Sequence, residues 1–233
     1  MAFIYQKRRT VIVFLVLIIL ALVITLNTPK PVETIPVSQP KNSQVITSPA
    51  IDSLKNLVIK GYESSSDYSR DKFGSGWRSV GGCDTRNIIL NRDLMNAIVD
   101  DSCNVISGVL NDPYTGKIIN FIRGKDSSSD VQIDHVVALS DAWQTGASYF
   151  SFDRRVELAN DPLELLAVDG KANMEKSGSD AANWLPLNKA FRCQYIARQI
   201  AVKQKYSLWV TQSEQDAMSG VLQNCPGQML PSP

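Results

Sequence analysis

Histidine is nearly absent from this sequence: among 233 residues there is one, His135. A reaction that needs a histidine as general base therefore has a single candidate. The four cysteines form no C-x-x-C pair, which argues against a zinc knuckle or a thioredoxin-type redox motif. A G-x-S-x-G pentapeptide is also missing, and with it the nucleophile elbow of a serine hydrolase.

A large excess of charge of one sign is missing as well. The 24 Lys and Arg nearly balance the 23 Asp and Glu. Three of those positive residues and none of the negative ones lie in residues 1–26, so the rest of the chain has a formal charge of −2. A polyanionic partner would have to be held by a local basic patch or by a metal ion. The hydrophobic fraction of 44% and the charged fraction of 20% are those of an ordinary folded domain.

The N-terminal residues have the pattern of an export signal. Residues 1–10 carry three basic side chains, and residues 11–26 are apolar apart from Thr25. A helix over 11–26 would be ~24 Å long, slightly short of the ~30 Å hydrocarbon core of a bilayer. No good small-x-small cleavage site follows. The pattern predicts a cytoplasmic basic tail (1–10) and a transmembrane signal-anchor (11–26), with the signal peptide of a secreted protein as the alternative.

With a signal-anchor or with a signal peptide, the rest of the chain is expected outside the cytoplasm. A signal-anchor would also hold it at the membrane. Residues 27–50 contain five prolines and no apolar periodicity, which predicts an extended linker. The folded domain is expected over residues 51–233.

Apolar patterns predict the elements of this domain. Residues 83–103 are expected to form a helix, and residues 103–110 and 117–122 a β-hairpin around the turn-forming sequence NDPYTG. The sequence VQIDHVVAL is typical of a strand leading into a helix, and LELLAVDG of a short strand that is followed by the helical KANMEK. The C-terminal third is expected to be a helical hairpin of residues 188–206 and 211–225.

The four cysteines are expected to form two disulfides, since they follow an export signal. In the C-terminal hairpin, Cys193 lies 13 residues before Tyr206 and Cys225 lies 14 residues after Thr211. At 1.5 Å per helical residue both are ~20 Å from the turn, so an antiparallel pair of helices sets them side by side. The spacing therefore predicts a Cys193–Cys225 bond, which leaves Cys83 to pair with Cys103.

The side chains suited to chemistry lie on the predicted strands and just after them. Asp134 and His135 end one strand, and Asn173 and Lys176 follow the next. Asp134 and Asn173 offer hard oxygen ligands, which suit Mg²⁺ or Mn²⁺. His135 has an ordinary pKa near ~6.5 and is suited to take a proton from an attacking water, while Lys176 is suited to neutralise a phosphate oxygen. These residue types point to metal-assisted cleavage of a phosphodiester bond.

At these residues the sequence resembles the HNH nuclease superfamily, whose core is a ββα-metal finger. More narrowly, it is similar to exported proteins related to the C-terminal nuclease domain of GmrSD-type restriction enzymes, where the pattern is D-H, then D-P-L-N-L-L-A-V-D-G, then N-x-x-K. The matching residues are Asp134, His135, Asp161, Pro162, Leu163, Asn173 and Lys176. Further likeness in GCDTRN, DPYTG, FIRG and WLPLNKAFRCQY extends the resemblance over roughly residues 62–225.

The resemblance implies an α+β fold with an HNH core inside a mostly helical domain. It implies a DNA endonuclease, with RNA as an alternative substrate, that uses one divalent ion and no organic cofactor: Mg²⁺ first, Mn²⁺ as the alternative. It assigns His135 as general base and Asp134 and Asn173 as metal ligands. One position departs from the pattern: Glu164 stands where the family has an asparagine that orients the histidine. Two outcomes are expected of this change: Glu164 accepts a hydrogen bond from the imidazole and raises its pKa, which orients His135 in place of the asparagine, or it misplaces the ring and lowers the rate.

Basic residues are candidates for binding the nucleic acid. Arg86 and Arg123 lie in motifs that carry the resemblance. On the predicted helix near residue 188, Lys189, Arg192 and Lys203 share a face and form a stripe that suits a phosphate backbone. The alternative interpretation is a solvated helix face.

Two other function classes remain open on the sequence. A catalytically weak or inactive relative that binds DNA or an envelope partner would agree with Glu164 and with the formal charge of −2. A glycan hydrolase would need a pair of carboxylates with separated pKa values, and the sequence marks no such pair.

Overall fold

The computed structural model describes residues 49–125 and 127–231, which form an α+β domain, as the sequence predicts. In chain order its elements are α1 (Pro49–Lys55), β1 (Ser79–Val80), β2 (Cys83–Asp84), α2 (Thr85–Asp93), β3 (Met95–Val99), β4 (Val105–Asn111), β5 (Ile118–Ile122), β6 (Val131–His135), α3 (Leu139–Gln144), α4 (Phe152–Ala159), β7 (Leu165–Asp169), α5 (Gly170–Lys176), α6 (Arg192–Tyr206) and α7 (Gln212–Leu222). Short 3₁₀ turns lie at Arg70–Phe73, Ala147–Tyr149 and Lys189–Phe191.

The ββα unit consists of β6, β7 and α5. The strands pair antiparallel, with His135 opposite Leu165 and Asp134 opposite Leu166. Leu165 packs into one hydrophobic core and Leu166 into the other, so β7 is buried on both faces. A strand buried in this way has a nearly continuous apolar sequence, which LLAVD shows. The predicted strand–strand–helix core is confirmed, and helices α3 and α4 are inserted between its strands.

A separate antiparallel sheet in the order β3-β4-β5 packs against α2. Its β4 and β5 form the predicted hairpin. The predicted helix over residues 83–103 is wrong beyond Asp93. Leu94 has extended backbone angles, and Met95–Val99 then pairs with β4 as a third strand. Pairing with the hairpin outweighs the weak helical preference of these residues.

Both predicted disulfides are present. Cys193 at the start of α6 is bonded to Cys225 beyond the end of α7, with the Cα atoms 5.8 Å apart. The two helices are therefore antiparallel neighbours, as the spacing predicts. Cys83 is bonded to Cys103, which connects the start of α2 to the turn between β3 and β4.

The folded domain begins slightly earlier than the predicted boundary at residue 51. Helix α1 starts at Pro49, and Ala50 is fully buried in the larger core. The predicted tail (1–10), the predicted signal-anchor (11–26) and nearly all of the predicted linker lie outside the described residues. Within 49–125 and 127–231, no helix has the length and apolar character needed to cross a bilayer.

Candidate active site

A cavity of about 640 Å³ opens beside the ββα unit. Four residues singled out from the sequence line it, and they come from three elements: Arg86 from α2, Asp134 and His135 from β6, and Asn173 from α5. Asp134 and His135 at the end of β6 lie close to Asn173 on α5, because β6 pairs antiparallel with β7 and α5 follows β7 directly. The wall also contains residues that the sequence analysis did not select: Tyr68, Arg70, Trp77, Gln132 and Ser140.

The single histidine is held as a neutral ring. Its Nε2 lies 3.0 Å from the carbonyl oxygen of Ala159. A carbonyl oxygen only accepts, so Nε2 carries the proton and Nδ1 keeps its lone pair. The ring is stacked against Trp77, with ring centroids 5.8 Å apart and planes 8° from parallel. Burial, aided by the positive charge of Arg70, lowers the pKa of His135 to about 3. The ring is therefore uncharged at neutral pH and Nδ1 is free of a proton, while the lowered pKa makes it a weaker base than an ordinary imidazole.

Glu164 does not orient the histidine, contrary to the first of the two outcomes expected from the sequence. Ala159 is the last residue of α4, where the carbonyl oxygens have no intrahelical partner, and its oxygen takes the imidazole N–H instead. The Glu164 side chain is fully buried, and its Oε2 accepts from the backbone N–H of Val137 at 3.2 Å. Its Oε1 has no hydrogen-bond partner among the described residues. Burial raises the pKa of Glu164 well above its ordinary value, because the apolar surroundings favour the neutral acid over the carboxylate.

Asp134 is held by two side-chain donors. Lys176 Nζ donates to Oδ1 at 2.9 Å, and the Tyr114 hydroxyl donates to Oδ2. Burial raises the pKa of Asp134, against the lowering effect of Lys176 and Tyr114. A carboxylate offers about four lone-pair sites, so both oxygens retain capacity to bind a cation from the cavity side.

Lys176 supports Asp134 from below the cavity. Its side chain is 0% exposed, and Nζ also donates to the backbone carbonyl of His135 at 2.7 Å. The expectation that Lys176 touches a substrate phosphate does not agree with this burial. The lysine instead fixes the strand end that carries both Asp134 and His135.

Asn173 presents a free oxygen because its amide nitrogen is engaged. Its Nδ2 donates to Oε1 of Gln132 at 2.9 Å, which leaves Oδ1 without a partner among the described residues. The helix that carries Asn173 is capped by Asp169, which accepts from the N–H of Ala172 at 2.7 Å. Side chains alternate between the two faces of a strand, so Gln132 lies on the same face of β6 as Asp134. This spacing is a sequence signal from which Gln132 could have been selected as a site residue.

The start of α5 is fixed by a close backbone contact. Gly170 N–H donates to the carbonyl of Asp130 at 2.9 Å. A Cβ atom added at Gly170 would lie 2.0 Å from the carbonyl oxygen of Ser129. The loop before β6 therefore touches the helix that positions Asn173.

The donors in the cavity suit a hard, strongly hydrated cation. Asp134 and Asn173 supply one carboxylate and one amide oxygen, and Mg²⁺ commonly binds one or two protein oxygens and keeps several waters. No cluster of three or more His, Cys, Asp or Glu able to hold a metal occurs among the described residues. The donor set thus fits Mg²⁺ or Mn²⁺ and does not fit a closed zinc-type cage.

Arg86 and Arg123 have different positions. Arg86 lines the cavity, and its Nη2 donates to the carbonyls of Ser128 and Val131 at 3.3 and 3.1 Å. Arg123 does not line the cavity. It donates to the Val105 carbonyl and to the Asn87 side chain, and these contacts tie β4 to α2. Its predicted support of the site is therefore not direct.

The predicted basic stripe on the C-terminal helix is wrong. Lys203 is fully buried, with Nζ 3.0 Å from both Asp141 Oδ2 and Glu214 Oε2. Arg192 donates to the Pro186 carbonyl at 2.8 Å, and neither Arg192 nor Lys189 lines the cavity.

Comparison with known proteins is consistent with this geometry. Residues 84–221, more than half of the chain, match the family described as GmrSD restriction endonucleases, C-terminal domain. An uncharacterized secreted protein of Arthroderma benhamiae is 36% identical over 212 residues, which cover 90% of this chain and 98% of that protein. No solved structure gives a significant match.

Proposed function

Because the chain belongs to the family of GmrSD restriction endonuclease C-terminal domains, we propose that it is an HNH-type endonuclease that hydrolyses phosphodiester bonds of DNA. One observation carries this proposal: Asp134, His135 and Asn173 line the same cavity, although they come from two elements that are far apart in sequence. RNA has the same reactive group and is the alternative substrate.

Each of these residues has a separate role in the proposed hydrolysis. Nδ1 of His135 takes a proton from a water as its oxygen forms a bond to phosphorus and the bond to the leaving oxygen breaks. Ala159 and Trp77 hold the ring in position for this transfer. Asp134 and Asn173 would hold a divalent ion, which supplies positive charge at the phosphate and the leaving oxygen. Lys176 and Gln132 orient those two ligands.

Supercoiled plasmid provides the test. The oxidised full-length protein is expected to nick and linearise plasmid with Mg²⁺ or Mn²⁺ and to stop when a chelator is added. His135→Ala should abolish cleavage, while its unfolding midpoint and far-UV spectrum show that it is folded. Cleavage that persists in His135→Ala would refute the assignment of the base.

A binding protein without cleavage is the second candidate. Glu164 and the formal charge of −2 support it, and the support from Glu164 weakens because the Ala159 carbonyl, not residue 164, accepts the imidazole N–H. DNA binding without nicking under both metals would favour this candidate.

We also propose that the domain works outside the cytoplasm. The relative from Arthroderma benhamiae is described as secreted, and two disulfides suit an oxidising compartment. Whether residues 11–26 stay attached as an anchor or are cleaved is testable by fractionating cells and sequencing the N-terminus of the mature protein. A mature protein that retains residues 1–26 in the membrane fraction supports the anchor.

A further inference from the structure

The cavity wall contains an arginine, Arg70, whose side chain has no hydrogen-bond or ion-pair partner among the described residues. Arg70 lines the large cavity and a smaller neighbour of about 140 Å³, and both cavities also touch His135 and Trp77. Within 49–125 and 127–231, no hydrogen bond or ion pair engages its guanidinium. Arg86, by contrast, is bonded to two backbone carbonyls.

The backbone that carries Arg70 is firmly attached to the domain. Arg70 begins a 3₁₀ turn that ends at Phe73, which is 2% exposed and packs edge-on against Tyr68 and Trp143, with centroids 6.3 Å away in each case. Arg155 Nε donates to the Lys72 carbonyl at 2.8 Å. The backbone from which the Arg70 side chain reaches the cavity is therefore anchored to the domain.

The side chains that line the cavity have a net charge that favours binding of an anion. Asp134 is the one carboxylate among the described residues that line the cavity, and it is paired with Lys176. Arg70 and Arg86 then contribute positive charge that no carboxylate of the cavity wall cancels. A guanidinium presents a planar fork of donors that matches two oxygens of a phosphate.

We propose that Arg70 binds the non-bridging oxygens of the phosphodiester that is attacked, on the side of His135, and is a further catalytic residue. This inference rests on the proposed nuclease function. Arg70 lies outside residues 84–221, so the proposal adds a substrate contact that the family match does not include.

The test compares three variants of the full-length protein. Arg70→Gln removes the charge, Arg70→Lys keeps the charge but not the fork, and Arg78→Gln is the matched control. Arg78 is exposed in the same segment, and neither its side chain nor its charge faces the large cavity. Binding of a short fluorescein-labelled DNA duplex is measured by anisotropy in the His135→Ala background over a range of salt concentrations, and plasmid cleavage in the active background.

A plot of the logarithm of the DNA association constant against the logarithm of the salt concentration has a negative slope. We expect Arg70→Gln to make this slope less steep by about 0.9, the value for one lost phosphate contact. Its kcat/KM should fall ~100-fold, as for loss of one oxyanion donor. Arg70→Lys should recover the slope and only part of the rate. Arg78→Gln should match the parent protein in both measurements.

The outcomes separate the two proposals. Absence of cleavage by the parent protein refutes the proposed function, whatever the binding slopes are. Cleavage by the parent together with Arg70→Gln values equal to those of Arg78→Gln refutes the role of Arg70 alone.

Discussion

Replacing Lys176 by methionine tests the internal support of the site. Lys176 is 0% exposed, and its Nζ is 2.9 Å from Asp134 Oδ1 and 2.7 Å from the His135 carbonyl. Methionine has a similar length and no charge, so the substitution removes both bonds and leaves little empty volume. Asp134, at 6% side-chain exposure, would then be a buried carboxylate with the Tyr114 hydroxyl as its remaining side-chain donor.

The expected loss of stability follows from these two bonds. Each charged hydrogen bond contributes ~1.5–3 kcal/mol, and breaking one partner of a buried ion pair costs ~3–5 kcal/mol. We expect Lys176→Met to lower the free energy of unfolding by ~3–5 kcal/mol at neutral pH. The loss should shrink in acid, because burial already raises the pKa of Asp134 and a protonated Asp134 does not need the lysine.

A double-mutant cycle with Asp134→Asn isolates the pair. The Asp134→Asn/Lys176→Met protein carries no unpaired buried charge, so we expect it to be more stable than Lys176→Met by ~2 kcal/mol. Urea-induced unfolding, followed by tryptophan fluorescence, gives the midpoints, and an unchanged m-value is required for the comparison.

A stable but inactive Lys176→Met protein would refute this reasoning. If its free energy of unfolding lies within ~1 kcal/mol of the parent while plasmid cleavage is lost, Lys176 acts on the substrate and not on Asp134.

Three further predictions concern separate parts of the molecule. Gln132→Leu should weaken Mn²⁺ binding ~10-fold in titration calorimetry, because the Asn173 amide loses the bond that orients it, and an unchanged affinity would contradict this role. Burial raises the pKa of Glu214 from 4.5 to about 7, so the stability that Glu214 contributes is complete below pH 4.5 and is lost as the pH rises through 7. Glu214→Gln should therefore flatten this part of the plot of unfolding free energy against pH, measured by urea unfolding. Parallel plots for the parent and the variant would refute this prediction. Removing the disulfide with Cys193→Ala/Cys225→Ala should cost about 3–4 kcal/mol, since the bond spans 32 residues, and a calorimetric melting midpoint that does not move would show that the bond adds no stability.

Local patterns predicted the centre of the fold well. The strand ending in Asp134-His135, the continuous apolar run LLAVD and the helix after it are each indicated by residues that are adjacent in sequence. The Cys193–Cys225 bond follows from helix geometry alone, because two antiparallel helices of known rise bring the cysteines together.

Two kinds of contact could not be predicted in the same way: hydrogen bonds to backbone groups, and ion pairs of lysines that are unusually buried. The carbonyl of Ala159 that holds His135 has no side-chain signature. Lys176 and Lys203 are fully buried, whereas lysine is normally exposed, and only tertiary structure reveals the carboxylates that pair with them. The helix predicted over β3 is wrong because single-residue helical preferences do not include the pairing of this segment with β4.

The crowded contact at Gly170 restricts how this chain can diverge. The backbone angle of Gly170 is not left-handed, so the residue is required by space and not by conformation. A larger residue would push the Ser129 carbonyl or tilt the first turn of α5, and the Asn173 amide would move with it. Distant relatives that keep this loop are therefore expected to have glycine here, and this glycine together with the Asp-His pair and the later asparagine would help to recognise them.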